Sequence, residues 1–136
     1  MWRFFRRGER PGGPPDYYAE ALVLSREGKH HEAITSLRLA LRERPEDAVI
    51  LQQMAVVYTR IGMTDEAVKL YRQALEHVPE AAGAHYGLAF LLLRRGEEEE
   101  ARRHLRSFLA RPPTHPGAEA HVSHARQTLL ELDGGA

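Results

Sequence analysis

The chain has 136 residues, 43% hydrophobic and 28% charged, which suits one folded domain and excludes a disordered chain. Nineteen basic residues balance nineteen acidic ones, but residues 1–10 hold four arginines against one glutamate, so the body is slightly acidic and offers no basic face for nucleic-acid phosphates. Cysteine is absent, which excludes disulfides, thiolate zinc sites and cysteine nucleophiles, and no apolar run reaches the ~18–20 residues that cross a bilayer.

Residues 1–15 read as an arm. Trp2, Phe4 and Phe5 interleave with Arg3, Arg6 and Arg7, and Pro11-Gly12-Gly13-Pro14-Pro15 then prevents a helix. The basic start lacks the apolar stretch of a secretory signal, so a soluble, cytoplasmic protein is expected. From Asp16 the pattern turns helical. Asp16 is a candidate N-cap for a first helix to about Arg26, and Gly28 suits the left-handed conformation just past its end. A second helix is expected from about His31 to Arg44, stopping at Pro45. The same order recurs twice: helices over about Ala48–Arg60 and Asp65–His77 around Gly62, then about Ala82–Arg95 and Glu97–Ala110 around Gly96. Pro112, Pro113 and Pro116 interrupt. A last helix spans about Gly117–Leu132, and residues 133–136 are expected to form a flexible tail.

Three columns of residues recur at a constant step of 34: Gly28, Gly62 and Gly96; Ala33, Ala67 and Ala101; Pro45, Pro79 and Pro113. That period indicates stacked helical hairpins, whose shared surface suits recognition better than catalysis. Ala21, Ala55 and Ala89 face the second-helix alanines and let the two helices of a hairpin approach. Leu24, Tyr58 and Leu92, with Leu37, Tyr71 and Leu105, supply bulk between them. Ala40, Ala74 and Phe108 fall where one unit meets the next. Phe108 is expected to cover the last helix, which turns Val122, Leu129 and Leu132 inward and closes the apolar end of the stack.

This phasing resembles the tetratricopeptide repeat over about residues 14–115, with units at about 14–47, 48–81 and 82–115 and a solvating helix at 117–132. The resemblance implies an all-α, right-handed solenoid of three helix-turn-helix hairpins and a capping helix, one domain over residues 16–132. Two departures stand out. The aromatic expected early in each first helix is Tyr17 and then Leu51 and His85, and the small residue of that helix is alanine where glycine is commoner. The resemblance also implies a concave groove, lined by first helices, that takes an extended peptide or a partner helix. The lysine and asparagine network that clamps chaperone C-terminal carboxylates in one subgroup is missing, because Tyr18, Leu22, Gln53, Gly83 and Gly87 stand at the matching places.

Inner-face positions hold Tyr18, Leu22, Val49, Gln52 and Val56, then Tyr86, Phe90 and Leu93, with Gly83 and Gly87 leaving room beside Tyr86. Arg26, Arg60 and Arg94 recur at the edge. An apolar strip rimmed by cations points to an apolar or aromatic ligand segment flanked by acidic residues. The competing reading makes these residues packing between first helices, with each arginine complementing a helix end. The arm carries tryptophan and arginine, the residues that dominate binding hot spots. Three destinations compete for it: a partner in a larger assembly, the cytoplasmic membrane face, or a stack of this same chain, its own or a second copy's.

Catalytic and metal chemistry find no support. His121 and His124 stand three apart with His115 before them, but no third ligand follows at a diagnostic spacing, and His30-His31 points two ways. Glu97–Glu100 reads as a solvated helix start balanced by Arg102, Arg103 and His104. No glycine-rich phosphate loop or nucleophile elbow is present. The expected protein is therefore no enzyme and holds no cofactor: it is an adaptor or scaffold subunit. The alternatives are an assembly factor or chaperone that shields client segments, and a self-associating structural protein.

Overall fold

The computed structural model describes residues 15–134, and over that range seven α-helices follow one another. They are α1 (Tyr17–Arg26), α2 (His30–Glu43), α3 (Ala48–Arg60), α4 (Thr64–His77), α5 (Ala82–Arg94), α6 (Glu98–Ala110) and α7 (Ala118–Leu132). Each limit lies within a residue of the expected one, because local chemistry sets it. The Asp16 carboxylate accepts from the Ala19 amide at 3.0 Å, and the Asp47 carboxylate from Val49 and Ile50 at 2.9 and 3.2 Å. At the first turns, Gly28, Gly62 and Gly96 have φ of 78°, 81° and 78°. Each donates its amide three residues back, and the following amide reaches Leu24, Tyr58 or Leu92, the six-to-one bond that closes a helix end. Arg44 and Val78, each ahead of a proline, leave the helical region at φ −135° and −134°. In the third unit Pro112 arrives one position early, and α6 is one residue shorter than α4.

The third unit lacks one of these devices. Ala81 precedes α5 with φ −64° and ψ 101°, close to the −75° and 107° of Asp47 before α3, but has no side-chain acceptor. Ala81→Asp should therefore cap α5 and stabilise the fold by about 1 kcal/mol. The check is the midpoint of a urea titration, which should rise with an unchanged slope.

The stack forms by close approach of small residues. Ala21, Ala55 and Ala89 on first helices, and Ala33, Ala67 and Ala101 on second helices, are all 0% exposed. The helices of each hairpin pack together; α2 then packs on α3, α4 on α5 and α6 on α7, giving an all-α solenoid. One apolar core runs through the three units, and a second cluster of Ala89, Leu105, Phe108 and Ala125 attaches α7. Phe108 thus covers the final helix, as its size implied. The fully covered residues of α7 are Ala118 and Ala125, with Val122, Leu129 and Leu132 half-buried around them. The end of α7 is tied down as well. Asp133 accepts from Arg102 at 2.8 Å and from Arg106 at 3.5 Å, and Arg102 also meets the Leu132 carbonyl and Glu99. The expected tail therefore begins with an anchored residue.

Candidate binding groove

Successive first helices meet along the inner face. Arg60 of α3 donates to the Ser25 hydroxyl of α1 at 3.0 Å, and the Gln52 side chain of α3 reaches the start of α5 beside Gly83. The inner-face residues named from sequence are neither sealed nor free. Tyr18, Leu22, Gln52, Val56, Tyr86, Phe90 and Leu93 are half-buried, and all but Leu22 and Gln52 pack against the core. Val49 is 57% exposed, and Arg26, Arg60 and Arg94 are exposed at the edge. Arg26 and Arg94 have no carboxylate partner among the described residues. Trp2, Arg3, Phe4, Phe5, Arg6 and Arg7 lie outside the described residues.

In the third unit two hollows flank Tyr86. One, of roughly 590 Å³, lies between Val56 of α3, Gly83 of α5, and Ala118 and His121 of α7. The other, of roughly 630 Å³, lies between Thr59 of α3, Phe90 and Arg94 of α5, and His124 of α7. Tyr71, Tyr86 and Gly87 border both. Sequence reasoning made Tyr71 only bulk inside its hairpin. Its ring in fact lies on the α5 backbone, so close that a Cβ at Gly87 would stand 2.3 Å from its Cζ. The room at Gly87 is thus filled by Tyr71, and the open space beside Tyr86 is at Gly83, where an added Cβ meets only the tip of Gln52. Burial pushes the Tyr71 phenol up to about 12, with Arg60 pulling the other way, so it stays a neutral donor in the groove floor.

Two α7 histidines close the far side of these hollows. His124 Nδ1 is 2.9 Å from the Tyr86 hydroxyl, and its ring stacks on Phe90 at 4.5 Å and 8°. His121 meets Tyr86 edge-on at 5.0 Å. Pairing these two around an ion is therefore not their arrangement: they spend their faces on aromatic rings. Among the described residues no three ligating side chains gather at one point. Part of the Tyr86–Phe90 strip is consequently covered by the chain's own capping helix.

A third arrangement escaped the sequence. His85 Nε2 lies 2.7 Å from the Pro79 carbonyl, which can only accept, so His85 donates there. Its Nδ1 lies 2.9 Å from His104 Nδ1, and His104 Nε2 lies 3.4 Å from Glu100. Glu100 also accepts from Arg72 of α4 at 3.2 Å, so the acidic run is partly structural rather than wholly solvated. Burial holds the His104 imidazole below its ordinary 6.5, joined by His85 and Arg103 and opposed by Glu100. The unfolded chain therefore takes up this proton first as pH falls, and folding stability declines below pH 6.5. A melting series from pH 7.5 to 5.5 should show that decline, and His104→Gln should flatten it.

Sequence models described as the tetratricopeptide repeat match residues 17–47 and 61–121, together about two thirds of the chain. The chain belongs to the tetratricopeptide repeat family. Among solved structures, the type III secretion translocator chaperone SycD of Yersinia enterocolitica superposes with a TM-score of 0.79 at 17% identity, over 86% of this chain and 81% of that one. The first repeat domain of Spaghetti (RPAP3), bound to the HSP90 peptide SRMEEVD, gives 0.71 at 18%, over 83% and 90%. The Sgt2 repeat domain from Aspergillus fumigatus gives 0.71 at 15%, over 88% and 80%. At these identities the likeness is one of fold. No curated protein matches the sequence significantly. Within this tetratricopeptide repeat protein, no described helix is long and apolar enough to cross a membrane.

Proposed function

We propose that this protein is a non-catalytic interaction module whose groove takes an apolar segment of a partner protein flanked by acidic residues. One observation carries the reading: an open apolar inner face is edged by three exposed arginines, Arg26, Arg60 and Arg94, none with a carboxylate partner among the described residues. Cations placed beside apolar surface and left unpaired favour an acidic neighbour, for rate of encounter as much as for affinity. The structural relatives fit, since SycD has been solved with a peptide of the translocator YopD and the Spaghetti domain with an HSP90 peptide. The arm, with its aromatics and arginines, would extend the contact to a larger assembly.

The test uses the full chain as bait with quantitative recovery of bound proteins. Arg60→Glu with Arg94→Glu should reduce recovery of acidic partners about tenfold while the melting temperature falls by only about 3–5 °C, the loss of the Arg60–Ser25 bond. Unchanged recovery, or a collapse in melting temperature with binding retained, would remove the groove reading. A second reading, a chaperone that shields client segments, is favoured by the whole-chain likeness to SycD. It predicts that recovered partners dissociate when their own assembly is completed, whereas a scaffold stays bound. Deleting residues 1–10 separates the roles of the arm: lost sedimentation with anionic vesicles places it on membranes, and loss of a concentration-dependent rise in light scattering makes it a self-association element.

A further inference from the structure

The two hollows of the third unit differ in chemistry on either side of one ring. On the Gly83 side the walls are Val56, Ala82, Phe108, Pro113 and Ala118, with His115 and His121 at the rim. On the Phe90 side the wall carries Arg94, whose guanidinium has no carboxylate partner among the described residues. Neither hollow is lined by an acidic residue. Tyr86 divides them, fixed by His124 at 2.9 Å and by contact of its ring with Phe108 at 5.1 Å.

We propose that these hollows read two side chains of one bound partner segment: an apolar anchor beside Gly83 and a carboxylate beside Arg94, in that order along α5. The proposal rests on the groove reading and adds spacing and polarity to it. From Gly83 the helix axis advances about 10 Å to Phe90 and about 16 Å to Arg94. An extended segment rises ~3.3 Å per residue. The anchor and the carboxylate are therefore three to five residues apart on an extended segment. Charge settles the occupant between a partner protein and the arm of this chain. Residues 1–10 carry Arg3, Arg6, Arg7 and Arg10 against Glu9 alone, and those cations would meet Arg94. An acidic partner segment meets it favourably.

Gly83 makes the reading testable without breaking the fold. Its Cβ position meets only Gln52 Oε1, at 2.6 Å, the far end of a side chain that can swing once its amide releases the Ala48 carbonyl. Gly83→Leu thus fills the apolar hollow at little structural cost, which its melting curve will verify. The experiment pans a displayed library of random 12-residue peptides against the full chain and titrates the enriched peptides by fluorescence anisotropy. Enriched sequences should pair an apolar residue with Asp or Glu three to five positions away. Gly83→Leu should weaken them about tenfold or more, as blocking a central anchor does. Arg94→Glu should reverse the preference between each peptide and its carboxylate→Lys version. Peptides without that pairing, or binding indifferent to Gly83→Leu yet lost on Val49→Glu, would overturn the two-hollow reading and leave the groove intact. No enrichment on the wild-type chain would overturn both.

Discussion

Phe108→Ala should detach the capping helix before it unfolds the stack. Phe108 is 2% exposed and shares a cluster with Ala89, Leu105 and Ala125 that is separate from the main core. Removing a buried aromatic from such a place costs about 3–5 kcal/mol, the upper figure applying where the cavity cannot collapse. Collapse is hindered here, because the Asp133 pairs with Arg102 and Arg106 hold the end of α7 at a fixed height on α6. In the preceding units the equivalent positions are Ala40 and Ala74, where the next first helix comes in close; only the last junction needs a large ring. Amide exchange is the readout. Protection over 118–132 should fall by several orders of magnitude, while α1 to α4 keep theirs, since a stack loses its terminal element without losing its interior. Equal loss along all seven helices would show one cooperative unit and sink the idea that α7 hangs on this ring.

The helices and their order were legible because their signals are local. An aspartate before a helix, a glycine after it and a proline beyond it act within a few residues, and each recurs with the period. The buried alanine columns were legible for the same reason: a repeat exposes its packing rule three times. What the period does not encode is how one unit sits on the next. Tyr86 and His124 are 38 residues apart, and His85 and His104 are 19 apart, offsets that depend on the superhelical rotation. Read alone, His85 is a lost aromatic; in the fold it bonds Pro79 at one ring nitrogen and His104 at the other. Tyr71 misled in the same way. It fills its own hairpin, as its column says, and its far end also reaches the next first helix and becomes groove floor. Most of the inner-face set is half-buried, with Val49 exposed, while the covering of its last third by His121 and His124 was invisible without α7 in place.

Two glycines four residues apart on α5 should respond to alanine with opposite signs. In a helix interior alanine is better than glycine by about 0.5–1 kcal/mol, a gain that propensity predicts in full at Gly87 and in part at Gly83, the second residue of α5. Gly83→Ala should show a small gain, because only the Gln52 amide must move aside, at some cost to its bond to the Ala48 carbonyl. Gly87→Ala should instead destabilise by about 2–3 kcal/mol, the cost of forcing an atom into a filled core. The new Cβ would lie 2.3 Å from Cζ, 2.4 Å from the hydroxyl and 2.7 Å from Cε2 of Tyr71. That ring is 5% exposed and swings as a rigid plane, so it cannot yield as an amide tip does. Shortening the ring is the control. In Tyr71→Leu the same Gly87→Ala change should cost far less, a coupling on the order of 1–3 kcal/mol between the two sites. Because Tyr71 borders both hollows, Gly87→Ala should also weaken peptides enriched on the wild-type chain even where the protein remains folded. A raised melting temperature for Gly87→Ala, matching Gly83→Ala, would mean that Tyr71 moves freely. The partition between the hollows would then be no partition, and the order of anchor and carboxylate would lose its physical basis.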